Sequence, residues 1–461
     1  MLYRKRMNDL ISWKNNESTA LLLKGARQVG KTRLIEEFIR NKFDNFIEID
    51  FTKDANALNF LLEIKNYDDF INRLSLISNV SIQNNNGVLF LDEIQYYYEM
   101  REKNIQNDIS FKDKYIDIIT LSKTIVNKGE FRLIMSGSML GVSVFNVNLN
   151  PTGYLKILDM YPMDFEEFLL ANNISQNIIN DVKQCFVSKE AVSNSINNLL
   201  IDKFREYVII GGLPKAVEGY INDKTLSLVD SALDTVNNWY KEDIIKYANK
   251  EDRLIILEMY NLLSSEITMK NRKFVKSHMD VPNFKNLDLR DRYLWLKSAG
   301  IAIPTYNITN PTYPLKISQD SKIVKLYMGD VGLLSHSIFD KEAKKKLILS
   351  NDEEIDLGAF YENAAAELLN SHGYDTYFFS NKKRGEIDFI IEKNMSIYPI
   401  EIKSGKPDKK TGLYEHAALD NVLASQDKIK ESWVFGLNNV QKEKDGIYMF
   451  PIYMIDFVIK Q

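Results

Sequence analysis

The sequence predicts an α/β protein of several domains that opens on a parallel sheet, and three observations carry that expectation. The chain has 461 residues, enough for about three domains at roughly 150 residues each. Its first third alternates short apolar runs, TALLLK, FIEID, GVLFLDEI and FRLIMSGS, with helically periodic stretches. Runs of that kind suit strands buried on both faces of a parallel sheet. Between the first run and the first helix stands a glycine-containing octapeptide, Gly25-Ala26-Arg27-Gln28-Val29-Gly30-Lys31-Thr32.

Composition narrows the class. Hydrophobic residues make up 45% and charged residues 26%, close to the average for globular chains. No run approaches the roughly 18 apolar residues of a membrane helix, and MLYRKRMNDLISWKNNES has no apolar stretch long enough for a secretory signal. A cytoplasmic protein with no membrane partner is therefore expected. Cys185 is the one cysteine, so neither a disulfide framework nor a cysteine-based zinc site can be built. The four histidines are too scattered for a local metal motif. Any metal should be a hard cation on oxygen ligands. With 59 Lys and Arg against 63 acids the net charge is −4, so a basic footprint for nucleic acid has to be local.

The octapeptide fits GxxxxGK[ST] in full. Its glycines let backbone amides wrap a phosphate at a helix N-terminus, Lys31 reaches the β- and γ-phosphates, and Thr32 can ligate Mg²⁺. Arg33, first residue after the motif on the helix TRLIEEFIR, joins the nucleotide-binding set. About 60 residues on, Val88-Leu89-Phe90-Leu91 runs into Asp92-Glu93. An apolar strand ending in two acids completes such a site, with Asp92 on Mg²⁺ and Glu93 polarising the attacking water. The strand LIMSGS ends in Ser136, Gly137 and Ser138; either serine can hydrogen-bond the water or the γ-phosphate, and the plainer reading is a strand-ending turn. Tyr96, Tyr97 and Tyr98 read as substrate contacts or, more plainly, as core. The expected cofactors are ATP and Mg²⁺.

After YPMDFEEFLL, where Asp164 can cap a helix, residues 172–249 read as a small helical module punctuated by GGLPKAVEGY. Residues 250–345 read as short helices and then two strands, IAIPTYNI and KIVKLYM, an order that matches a winged helix. Within 270–297, eight Lys or Arg stand against three Asp, a local net of +5 that suits DNA. A helix at about 358–371 and the strands YDTYFFS, GEIDFIIE, SIYPIEIKS and SWVFGL close the chain.

GARQVGKT, FLDEIQ, SGS and YPMDFEEFL, in that order, resemble the AAA-type P-loop ATPases of a large bacterial and archaeal family, in which GGLPKAV and GDVGLL also recur and a restriction-endonuclease-like segment closes the chain. The resemblance implies an ATPase core over 1–171, a helical lid over 172–249, a winged-helix module over 250–345 and a nuclease-like α/β domain over 346–461. Family members often carry an Arg after the Gly that precedes the YP segment. This chain has Gly153-Tyr154 there, so no arginine finger is assigned, with Arg132 and Arg205 as the nearby arginines. A homo-oligomer is admitted.

In the closing segment, a strand period of two puts Glu386 with Asp388, and Glu401 with Lys403, opposite Ile387, Phe389, Ile391, Ile400 and Ile402. Two carboxylates on one edge can hold Mg²⁺, and a lysine beside them can position water. The spacing resembles the PD-(D/E)xK nuclease core, which makes Asp388, Glu401 and Lys403 the catalytic trio and Glu362, from the preceding helix, a further metal ligand. The competing reading is a face of Glu–Lys pairs. Residues 381–410 carry a net of +3, from eight Lys or Arg and five acids. Two functions follow: an ATP-driven enzyme acting on nucleic acid, or a nucleotide-dependent switch that binds a protein partner with its closing domain inert.

Overall fold

The computed structural model describes residues 2–83, 86–138, 153–223, 225–280, 288–349, 355–405, 414, 418–420, 429 and 431–460. The chain divides into two compact units, one of Arg4–Tyr161 with Ser298–Gly300 and one made chiefly of Pro162–Lys297 and Ile301–Gln461. No described helix is long and apolar enough to cross a membrane.

The first unit is an α/β fold on a parallel sheet. Strands β1 (Ala20–Gly25), β2 (Asn45–Asp50), β3 (Gly87–Asp92), β4 (Arg132–Ser138) and β5 (Leu155–Met160) lie in the order β2-β3-β4-β1-β5, every neighbouring pair parallel. The apolar runs behave as their composition demands, for β3 is buried at all six positions. Strand β5 has no such signal in the sequence, because LKILDM sits at the sheet edge and is half exposed. Since the strands run the same way, the loops after β1, β3 and β4 meet along one edge, with β4 between the other two. Ligands bind at such carboxyl ends in open α/β sheets.

In the second unit, helices Phe165–Ala171, Gln176–Ser188, Asn194–Ile210, Pro214–Asp223 and Leu226–Tyr247 precede a mixed sheet. Its strands are β6 (Ala302–Ile308), β7 (Gln319–Met328), β8 (Tyr377–Asn381), β9 (Gly385–Lys393), β10 (Ser396–Ile402), β11 (Ser432–Gly436), β12 (Gln441–Lys444) and β13 (Ile447–Pro451), in the order β12-β13-β11-β10-β9-β8-β6-β7. Asp164 caps its helix as expected, accepting from the Glu167 amide at 2.9 Å. The helix Phe165–Ala171 lies in the second unit, and the hairpin β6–β7 does not stand apart as a wing. It joins the closing strands through the parallel pair β6–β8, with Tyr306 opposite Tyr377. Both edges of β6 are paired, with β8 and β7, and six of its seven positions are buried.

The two glycine motifs dock onto each other. Asp330 caps the helix Val331–Ile338 by accepting from the Leu333 amide (3.1 Å) and also accepts from the Gly212 amide (2.7 Å). Glu367, on the helix Gly358–Ser371, accepts from the Val331 amide at 2.9 Å. Burial raises the Asp330 carboxyl to about 6 and pushes Glu367 well above the usual carboxylate range, with the Asp330 charge adding to it. Gly211 has φ +82° and ψ −175°, and a Cβ there would lie 2.4 Å from Asp330 Oδ1 and 2.8 Å from the Gly332 backbone.

Candidate functional site

The loop after β1 has the shape its sequence demands. Gln28 (φ 60°) and Gly30 (φ 94°) take left-handed conformations before the helix Lys31–Lys42 begins, a backbone pattern of the kind that forms anion-binding concavities. Lys31 is buried, its ammonium donating to the carbonyls of Gly25 (3.0 Å) and Ala26 (2.8 Å). Gly25 admits no side chain, because a Cβ would sit 2.3 Å from the Met160 carbonyl oxygen. Ala26 and Val29 are buried, Arg27 and Gln28 half-buried and Arg33 exposed. Sequence reasoning missed Arg4, whose buried guanidinium donates to Val29 O (2.5 Å) and Tyr161 O (2.6 Å) and so braces the loop from behind. Nothing near Arg4 in the sequence signals that contact.

The acids close the site. Thr32 Oγ1 donates to Asp92 Oδ2 at 2.7 Å, and Ser136 Oγ donates to Asp92 Oδ1. The row Thr32–Asp92–Ser136 therefore links the ends of β3 and β4 to the first turn of the helix. Glu93 stands just before the next helix, Ile94–Asn107, in a left-handed conformation (φ 55°, ψ 45°), uncommon for a residue with a Cβ and a mark of functional loops. Burial raises its carboxyl above the ordinary range; Lys31 pulls it back and the Asp92 charge pushes it up. Gln95, also missed, donates to Glu93 and accepts from the Ser138 amide at 3.2 Å. The helix spacing of FLDEIQ was its one available signal. A threonine hydroxyl beside a buried carboxylate, next to a glycine-containing loop at a helix N-terminus, fits a magnesium-bound polyphosphate.

The tyrosines are core. Tyr97 is fully buried, and Tyr98 donates to Asp117 (2.8 Å) while accepting from the Ile119 amide (3.1 Å). Arg132 opens β4, at the opposite end of the strand from Ser138, and stacks on Trp13. Arg205 belongs to the second unit, paired with Asp202 at 3.2 Å.

Around the closing carboxylates the structure differs from the expectation. Register pairs Ile400 with Phe389, and Asp388 Oδ2 accepts from the Ile402 amide at 2.9 Å, so Asp388 and Glu401 lie on adjacent strands. Lys403 pairs with Glu401 at 3.4 Å. Glu362, however, is fully buried and engaged by Arg272, by Tyr327 and by Lys325 at 3.0 Å. Lys325 also reaches Glu386 (3.0 Å) and Asp388 (3.8 Å), and Lys273 reaches Glu386 (2.9 Å). Among the described residues, Glu362, Asp388 and Glu401 do not bring three ligand atoms within 4.8 Å of one another, whereas Asp164, His372 and Asp456 do. In that group His372 Nδ1 donates to Val458 O (3.2 Å) and Nε2 lies 3.3 Å from Asp456.

Part of the basic segment is committed to ion pairs, while Lys270, Arg290 and Lys297 are exposed. Arg272 and Lys273 serve the carboxylates above, Arg292 pairs with Asp252, and Lys297 pairs with Asp375 at 3.6 Å. Lys285 of this segment, and Lys406, Asp408, Lys409 and Lys410 of the second basic stretch, lie outside the described residues.

Comparison with known proteins finds an AAA domain in the first unit and two uncharacterised domains in the second. Residues 17–169 match the family model of an AAA domain, while residues 201–344 and 357–455 match models of two domains of unknown function, DUF8612 and DUF4143. No curated protein matches the chain. Among solved structures, the Walker-type ATPase of Pyrococcus abyssi is similar at 12% identity and a TM-score of 0.39, covering 74% of this chain and 96% of its own. A RuvB mutant of Thermotoga maritima is similar at 12% identity and 0.29, covering 65% and 89%. The AMPPCP-bound DnaA of Aquifex aeolicus follows at 12% and 0.25, covering 63% and 77%.

Proposed function

We propose that the chain binds ATP with Mg²⁺ at Gly25–Arg33 and hydrolyses it. The row Thr32–Asp92–Ser136 beneath the loop is the observation that carries this reading. Bound Mg²⁺ supplies charge neutralisation on the phosphates. Thr32 and Asp92 hold it, Lys31 and the loop amides bind phosphate oxygens, and Glu93, steadied by Gln95, orients and deprotonates the attacking water. Ser136 fixes the Asp92 carboxylate. Lys31→Ala should abolish tight ATP binding. Glu93→Gln should preserve binding and cut turnover by roughly 10²–10⁴, the usual worth of a general base. Equal loss of binding in both variants would sink this division of roles.

For the second unit we infer a nucleotide-dependent switch that meets a protein partner. Support comes from three of the cations: Arg272, Lys273 and Arg292, which a DNA-binding surface would present, are half-buried and held in ion pairs. The nucleic-acid reading draws on the helix Gly358–Ser371 followed by β8, β9 and β10, an order like that of nuclease-like folds, and on the neighbouring Asp388, Glu401 and Lys403. Binding to duplex DNA measured at several salt concentrations separates the two. Counterion release makes log affinity fall with log salt by about 0.9 per phosphate neutralised. Tight binding with a steep slope would restore the nucleic-acid reading.

A further inference from the structure

We infer that Lys325 is the resident cation of the Glu362–Glu386–Asp388 cluster, which therefore takes no divalent metal. The inference deepens the switch reading and rests on it for its functional meaning, but its geometry stands alone. Lys325 lies on β7, whose last five residues are all buried, and its side chain is 1% exposed. A lysine is almost never buried to that degree unless its charge is paired. Its three N–H donors have three carboxylates to meet, Glu362 and Glu386 at 3.0 Å and Asp388 at 3.8 Å.

The cluster is also balanced without a metal. Three carboxylates face three cations, Lys325, Arg272 and Lys273. Glu362 accepts from an ammonium, a guanidinium and the Tyr327 hydroxyl, which takes three of the roughly four lone-pair positions of a carboxylate. A divalent ion among these carboxylates would have to displace the ammonium, leave it buried and unpaired, and face its repulsion. Breaking a buried pair in that way is strongly unfavourable. Lys325 and Tyr327 share one face of β7, two residues apart, so one strand supplies both the cation and the hydroxyl that fill the site. The side chains that suggest a nuclease then serve to fasten β7 to β9 and to the helix Gly358–Ser371.

The test uses the full chain carrying Lys31→Ala, without nucleotide, titrated with Mn²⁺ by calorimetry and followed by melting temperature. In this background Asp388→Asn should leave Mn²⁺ binding unchanged. Adding Lys325→Met should create a Mn²⁺ site, seen as a Mn²⁺-dependent rise in melting temperature, which Asp388→Asn then removes. A Mn²⁺ site that Asp388→Asn abolishes while Lys325 is in place overturns the inference. So does a folded Lys325→Met chain that gains no such site. If Lys325→Met does not fold, the comparison with and without Asp388→Asn still decides. Steeply salt-dependent DNA binding without metal would instead sink the switch reading and leave the role of Lys325 standing.

Discussion

Replacing Gly211 by alanine should unfasten the second unit, and the structure says by how much. Its φ of +82° with ψ of −175° falls where glycine alone is comfortable, at a strain of about 1–3 kcal/mol for any other residue. The added Cβ would also lie 2.8 Å from the Gly332 backbone and 2.4 Å from Asp330 Oδ1. Backbone cannot rotate away as a side chain can, so the two turns must separate. Their separation stretches the bond from the Gly212 amide to Asp330, and leaving that buried carboxylate short of a donor costs about 1–3 kcal/mol more. The total is roughly 4 kcal/mol. At about 2–4 °C per kcal/mol for units of this size, the melting temperature of the second unit should fall by on the order of 10 °C. Gly153→Ala is the control, since Gly153 also has positive φ (+89°) but no described atom within 4 Å of where its Cβ would stand; it should cost only about 1–2 kcal/mol. Differential scanning calorimetry reads both. A Gly211→Ala loss no larger than that of Gly153→Ala would refute the argument from close approach.

Other outcomes follow from the sites. Burial works against a charge on His372, yet Asp164 and Asp456 hold it up to about 9, so its stabilisation is full below about pH 6.5 and is lost as pH rises through about 9. His372→Ala should flatten that stretch of the stability curve, and an unchanged curve would mean the ion pair contributes nothing. Because burial raises the Glu93 carboxyl, turnover should climb with pH through that raised value and then level off, whereas the residual rate of Glu93→Gln should not follow this profile. Tyr98→Phe should lower stability by about 1–2 kcal/mol while leaving ATP affinity intact, since its hydroxyl bonds Asp117 and the Ile119 amide; a loss of affinity would return the tyrosines to substrate contact.

The nucleotide motif is legible because its chemistry is local. Eight consecutive residues shape the phosphate loop, and each partner motif ends an apolar strand. What brings Ser136 to Asp92 is the placement of β4 between β3 and β1, and strand order is not written in any one segment. Arg4 and Lys325 escaped notice for the same cause: the first acts 25 residues away at Val29 and the second 37 residues away at Glu362. In the string KIVKLYM, Lys325 reads as a solvent-facing strand residue. The +5 sum over 270–297 counts charges without their partners, and Arg272 and Lys273 find theirs some 90 and 113 residues downstream. Edge strand β5 shows the converse, an element with no apolar run because only part of it is covered.

The parallel join of β6 to β8 has a consequence for where this chain can be divided. A fragment beginning near residue 346 would keep β8 through β13 but bare the β8 edge, whose amides and carbonyls opposite Tyr306, Asn307 and Ile308 would lose their partners. An open, apolar strand edge of this kind recruits other chains. Such a fragment should self-associate, because the hairpin β6–β7 is the element that covers that edge of the closing sheet.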